Sequence, residues 1–180
     1  MEIRGIKIYI VILVILIIVL GYFGLRYVIN QYNVKQPLLN EINNLDGIEN
    51  VNLNSTDNQQ ELILEYESDA EFYETYIKAK KIAETKLDDK FNEIKITNNS
   101  NQQLNNFYQE VHFFLYEGAE NGNFSDMKQN IDKSAKNNDF DNYKIIVDET
   151  NIYFSLIKNN NYFFKIIPRK ATRTRGENNG

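Results

Sequence analysis

Hydrophobic and polar positions along this chain change period several times, and each change marks an element. From Ile8 to Leu25 there is no period at all: the run is apolar throughout and is bracketed by Lys7 and Arg26. Its 18 residues reach about 27 Å at 1.5 Å per residue, enough for a slightly thin hydrocarbon layer. Tyr9 sits near one end and Tyr22 and Tyr27 near the other, at the levels where amphipathic rings prefer headgroups. The reading is a membrane-spanning anchor. A cleavable signal peptide has a shorter apolar region and small residues three and one before the cut. A cut after Gly24 would place Tyr22 at the third position back, so the sequence favours an uncleaved signal anchor.

Helical spacing begins at Pro37, with Leu38, Leu39, Ile42 and Leu45 on one side and Gly47 just past the end. This predicts a stalk helix over residues 37–46. A period of two follows. Val51 and Leu53 alternate with Asn50, Asn52 and Asn54, and Leu62, Leu64 and Tyr66 alternate with Glu61, Glu65 and Glu67. That is a hairpin with one wet face, turning over residues 56–60. Ser68-x-x-Glu71 resembles a capping box and predicts a long helix from Asp69 to about Phe91, burying Phe72, Tyr76, Ala79, Ala83 and Leu87. Ile94 and Ile96 mark a short strand. Strand, helix and strand in this order put it parallel to the strand near Leu64.

After a break at residues 98–101, Leu104, Phe107, Tyr108, Val111, Phe114 and Leu115 share one face of a second helix, with Phe113 on the opposite face. Gly118 to Asn123 is read as its end, and Ser125 as the cap of a third, weaker helix carrying Ile131 and Ala135. Residues 143–148, 152–158 and 162–167 are rich in β-branched and aromatic side chains and read as a strand meander. If Asn159 and Asn160 form a two-residue loop, Leu156 opposes Phe163 and Ile157 opposes Tyr162. Both faces then carry apolar rings, so the meander is covered on both sides or offers one face to a partner.

The fold class is therefore α+β: one N-terminal transmembrane helix, then a compact domain with a β-hairpin, a long helix, a strand, two helices and a C-terminal antiparallel three-strand meander. The expected organisation is a short cytoplasmic leader (1–7), the anchor (8–25), a linker and stalk helix (26–47), a ββαβ part (48–98), an ααβββ part (99–167) that shares a domain with it or stands apart, and a disordered basic tail (168–180).

Charge sharpens this picture. Of 20 basic and 25 acidic residues, eight basic and two acidic lie outside residues 36–167, which leaves 12 against 23 inside, a net of −11. So acidic a domain argues against a nucleic-acid partner. Arg4 and Lys7 stand before the apolar run, Arg26 and Lys35 after it. With the α-amine added, the balance leans towards the N-terminus inside and the domain outside. The chain has no cysteine, which excludes disulfides and thiolate metal sites. Asn54-Ser-Thr, Asn98-Asn-Ser and Asn123-Phe-Ser fit the glycosylation pattern, which arises readily in so asparagine-rich a chain.

Candidate chemistry is sparse. His112 is the only histidine; it lies one turn from Tyr108 and Tyr116 and lacks the companions a metal site needs. Lys80 projects near the middle of an apolar face and reads as a snorkelling stem. Glu65, Glu67, Asp69 and Glu71 read as a solvated strand face and a helix start, and Asp139-x-Asp141 lacks the glycine and final glutamate of a calcium loop. No Gly-x-Ser-x-Gly elbow or phosphate-binding glycine loop occurs. No residue is assigned a catalytic, cofactor or metal role. Arg169, Lys170, Arg173 and Arg175 read as a solvated end.

The resulting expectation is a non-catalytic interaction or scaffold module of the bacterial cell envelope, anchored through Ile8–Leu25 and docking a protein partner on the aromatic meander. Two alternatives accompany it. Arg4-Gly5 followed by Ile6 and the apolar run resembles the short basic leader of type IV prepilins, which implies a cut after Gly5 and a pilin-like assembly subunit. Ile10 stands where that family usually has glutamate, and Lys7 where a small polar residue is common. The other alternative is a membrane-tethered enzyme acting on cell-wall polymers through carboxylates that the fold would have to bring together.

Overall fold

The computed structural model describes residues 2–3, 6–30, 35–56 and 59–170. Two short strands, β1 (Glu2–Ile3) and β2 (Ile6–Lys7), pair antiparallel ahead of helix α1 (Ile8–Asn30). Helix α2 (Gln36–Asn43) follows, with Pro37 in its first turn, where a missing amide hydrogen costs nothing. Then come β3 (Ile48–Thr56), β4 (Gln59–Tyr66), α3 (Phe72–Leu87) and β5 (Phe91–Thr97). The second half holds α4 (Gln102–Asn121), α5 (Phe124–Ala135), β6 (Asn142–Val147), β7 (Asn151–Lys158) and β8 (Asn161–Pro168). The α+β class and the order of elements are as the sequence implies.

One sheet has the order β3-β4-β5, antiparallel and then parallel; the other is the antiparallel meander β6-β7-β8. Leu62 pairs with Ile94 and Leu64 with Ile96, so the crossover through α3 does place β5 parallel to β4. Asn159 and Asn160 both have positive φ and close the β7–β8 hairpin, with Leu156 opposite Phe163 and Ile157 opposite Tyr162.

Two apolar cores lie on opposite faces of the meander. The first joins Leu38 and Ile42 of α2, Leu62, Leu64 and Tyr66 of β4 and Phe72, Tyr76, Ala79, Ala83 and Leu87 of α3 to Tyr153, Tyr162 and Phe164 of β7 and β8. Phe72 stacks on Phe164 with centroids 4.5 Å apart. The second core joins Leu104, Phe107, Val111, Leu115, Met127 and Ile131 of α4 and α5 to Ile152, Phe154, Leu156 and Phe163. The first core draws on residues of both parts, 48–98 and 99–167.

The two sheets also meet edge to edge. The side-chain amide of Asn98 donates to the Phe164 carbonyl at 3.1 Å and its oxygen accepts the Phe164 amide at 2.7 Å. The Tyr162 amide donates to the Asn99 carbonyl at 2.9 Å. The end of β5 and the start of β8 thus approach antiparallel, with Asn98 standing in for a peptide group.

Five expectations are corrected. The helix expected as a stalk ends at Asn43, and Leu38 and Ile42 are fully buried; each contributes about 1.5–3 kcal/mol of burial, so α2 is a core element of the domain. Ser68 does not cap α3, which starts at Phe72 after Glu71, whose ψ of 78° is not helical. It ends at Leu87 because Asp88 takes a positive φ, and Phe91 opens β5. Gly118 is not a helix end but lies within α4, where a Cβ would fall 2.5 Å from Met127 Sδ; the left-handed Gly122 ends the helix. Asn123 occupies the N-cap position of α5 without a side-chain hydrogen bond to it, and Ser125 lies inside the helix. Finally, Pro168 closes β8, and Arg169 and Lys170 are docked rather than free: their amides donate to the Thr150 and Ala119 carbonyls at 2.8 and 3.1 Å. Residues 171–180, the rest of the expected disordered tail, lie outside the described residues.

Candidate interaction surfaces

Among the described residues one helix is long and apolar enough to cross a membrane, a property that anchors share with signal sequences. None of the span Ile8–Leu25 is buried, and its large apolar side chains are 40–64 % exposed. The domain completes both cores without any residue of α1.

The rings of the meander, expected as a docking face, are consumed inside. Tyr153, Phe154, Tyr162, Phe163 and Phe164 are all buried. Burial raises the phenol pKa of Tyr66, Tyr76, Tyr153 and Tyr162. Of the two readings the sequence allowed, covering on both sides is the one the chain supplies, with α2 and α3 on one side and α4 and α5 on the other.

Exposed aromatic surface lies instead on α4. Its inward face, Leu104, Phe107, Val111 and Leu115, is set by helical spacing, which turns Phe113 outwards. Phe113 is 72 % exposed and Tyr116 47 %. The His112 ring lies 3.9 Å from the Phe113 ring, tilted by 38°, and 5.9 Å from Tyr108. His112 Nδ1 is 2.8 Å from the Gln109 carbonyl. A carbonyl only accepts, so Nδ1 is the donor in this contact. Burial, and then the hydroxyl of Tyr116, push the Tyr108 phenol up to about 12. The strip offers exposed ring faces, which suit contact with another surface.

The carboxylates named from sequence do not converge. Glu71 pairs with Lys144 at 2.9 Å and Glu65 accepts from Asn50 at 3.3 Å, while Glu67 and Asp69 are exposed. Asp139 and Asp141 brace the β7–β8 turn: Asp141 accepts the Asn159 amide at 2.7 Å and the Asp139 carbonyl accepts from Lys158. Lys80 lies 3.7 Å from Glu84 as a surface pair one helical turn apart. Among the described residues no three of His, Asp and Glu come together as a cation would need.

Asp148 is the carboxylate with the most partners. Its Oδ1 accepts the amides of Thr150 and Asn151, both at 2.7 Å, and its Oδ2 accepts the Tyr153 hydroxyl at 2.9 Å. Burial works to raise its pKa, but these bonds and one from the Thr150 hydroxyl together hold it below the usual value. The Arg169 guanidinium donates to the Asp148 carbonyl and lies 4.5 Å over the Phe124 ring. Two of the basic residues expected in a free tail therefore lock the β6–β7 turn and the end of α4, where Lys170 pairs with Glu120. Arg173 and Arg175 lie outside the described residues.

No family model, no curated protein and no solved structure matches the chain.

Proposed function

We propose that this chain is a membrane-anchored interaction or scaffold module of the cell envelope, with no catalytic role, its acidic domain held outside the membrane by Ile8–Leu25. The observation that carries this reading is the division of apolar surface. The span keeps its large apolar side chains outward, while the domain buries most of its own, Phe113 and Tyr116 excepted. A domain that is complete without its apolar helix leaves that helix free to use lipid as its solvent.

The exposed Phe113–Tyr116 strip supports a contact role, since exposed aromatics are favoured where proteins meet. Photo-crosslinking tests it. A benzophenone amino acid at Phe113 in the full-length chain, irradiated in cells, is expected to give a discrete adduct with another protein. Adducts with lipid alone, or none at Phe113 and Tyr116 alike, would remove the reading's main support.

A further inference from the structure

The meeting of β5 and β8 is incomplete. Past Asn98 no hydrogen bond joins the two edges among the described residues, and a groove of about 420 Å³ is lined by Glu93, Ile94, Lys95, Ile96, Phe164, Lys165 and Ile166 together with Asn98. In the β7–β8 ladder the pairs flanking the two-residue turn alternate in their bonding, so alternate residues of β8 turn their backbone groups away from β7. Tyr162 and Phe164 are two of these, and both are satisfied, by Asn99 and by the Asn98 amide. Ile166 is the next. Among the described residues no hydrogen bond reaches it on that side. Pro168 follows and has no amide hydrogen to offer, which ends the usable edge.

The groove's two walls differ. Ile94, Ile96 and Ile166 are half-buried and pack towards the first core. Glu93, Lys95 and Lys165 belong to the opposite face. There Lys95 is paired with Glu61 at 2.7 Å and with Glu93 at 3.4 Å, whereas no carboxylate among the described residues pairs with Lys165.

The geometry points to this groove as a site for strand addition by an extended segment of a partner polypeptide. The segment would carry an aliphatic residue against Ile94, Ile96 and Ile166 and, one residue away, a single carboxylate against Lys165. Three observations converge on that occupant. A primary amide already sits on β8 as a peptide group would. The next position along the same edge is vacant. The one unpaired charge beside it is a cation. Main-chain bonds would supply the affinity and the alternating side chains the selectivity. This inference rests on the interaction reading above and names a surface distinct from the α4 strip.

The test uses the full chain in detergent micelles and three labelled peptides: acetyl-Thr-Val-Glu-Val-Thr-amide, the same with Lys for Glu, and the same with alternate amides N-methylated. The first is expected to bind saturably and to slow hydrogen exchange of the Ile166 amide at least tenfold. The other two are expected to bind at least tenfold more weakly. Lys165→Glu, at a half-buried position whose backbone pairing with Phe154 does not depend on the side chain, is expected to reverse the preference between Glu and Lys peptides. Equal binding of the N-methylated peptide, unchanged exchange at Ile166, or no saturable binding by any peptide would each overturn the proposal. The two readings fail separately: a crosslinked partner at Phe113 with no peptide binding removes the groove alone, and peptide binding without a crosslink at Phe113 removes the α4 strip alone.

Discussion

The backbone amide of Tyr66 donates to the hydroxyl of Tyr162 at 3.1 Å, deep between the two sheets. The residues are 96 positions apart, so this bond is formed only when the two halves of the chain have docked. Tyr66 ends β4, where its amide would otherwise have no partner in a dry core. Tyr162→Phe keeps the ring and its 4.9 Å stack on Phe164 but leaves that amide unpaired. A buried unsatisfied donor costs about 1–3 kcal/mol. Urea denaturation of a fragment beginning at Lys35 is expected to show a loss of that size with an unchanged slope; an unshifted midpoint would show that the amide finds another partner.

Gly118 and Met127 predict a coupled effect. Alanine exceeds glycine in helix propensity by about 1 kcal/mol, yet a Cβ at Gly118 would lie 2.5 Å from Met127 Sδ and 3.1 Å from Met127 Cβ and Cγ. The sulfur can swing aside, but the Cβ is fixed by α5. Overpacking of this kind costs about 1–3 kcal/mol. Gly118→Ala alone is therefore expected to destabilise, and the same change in a Met127→Ala background to cost less, because Sδ and Cγ are gone while the Cβ at 3.1 Å remains. Additive effects in the double-mutant cycle would mean that α4 and α5 adjust freely at this crossing.

These two contacts also mark where sequence reasoning stops. Periodicity located each strand and helix because burial of one face is a local pattern: Leu62, Leu64 and Tyr66 announce β4, and Leu104, Phe107 and Val111 announce α4. The two-residue Asn159-Asn160 turn fixed the β7–β8 register for the same reason. The role of Gly118 was not legible, since a glycine near the end of a periodic stretch looks the same whether it stops a helix or admits a neighbour. Ser68 misled because a capping box is a pattern of residue types, while Glu71 is occupied by Lys144, 73 residues away. Asn98 sits in an asparagine-rich break and nothing in its neighbours distinguishes it. Its role, like the vacancy at Ile166, exists only once two distant edges approach.

Asp148 predicts an acid dependence. Its folded pKa is depressed below the ordinary value of 3.8, so its ionised form stabilises the fold above that value, and the contribution is lost as pH falls through the lower folded value. Asp148→Asn is expected to be less stable than the parent at neutral pH, because an amide is a weaker acceptor for the Thr150 and Asn151 amides than a carboxylate. The gap should narrow as pH drops below 3.8. Parallel thermal melts from neutral to strongly acid pH measure it. A gap that stays constant on acidification would show that the turn does not depend on the charge.

The span predicts both retention and sidedness. If Ile8–Leu25 is an uncleaved anchor, the chain recovered from membranes keeps that segment in its intact mass and resists extraction by alkaline carbonate. A species beginning at Ile6 would instead favour the prepilin-type cut after Gly5, and one lacking the whole run would make it a signal peptide. Sidedness is open to a clean experiment because the sequence has no cysteine, so one introduced thiol is the only reactive site. Asn160 lies exposed at the tip of the β7–β8 hairpin, where its positive φ serves the turn. Asn159 carries the bond to Asp141 and is better left in place. Asn160→Cys strains the turn, so Phe113→Cys on the exposed side of α4 serves as a second position. Both thiols are expected to react with a membrane-impermeant maleimide in intact cells. Labelling only after lysis at both positions would place the domain inside, and with it any partner.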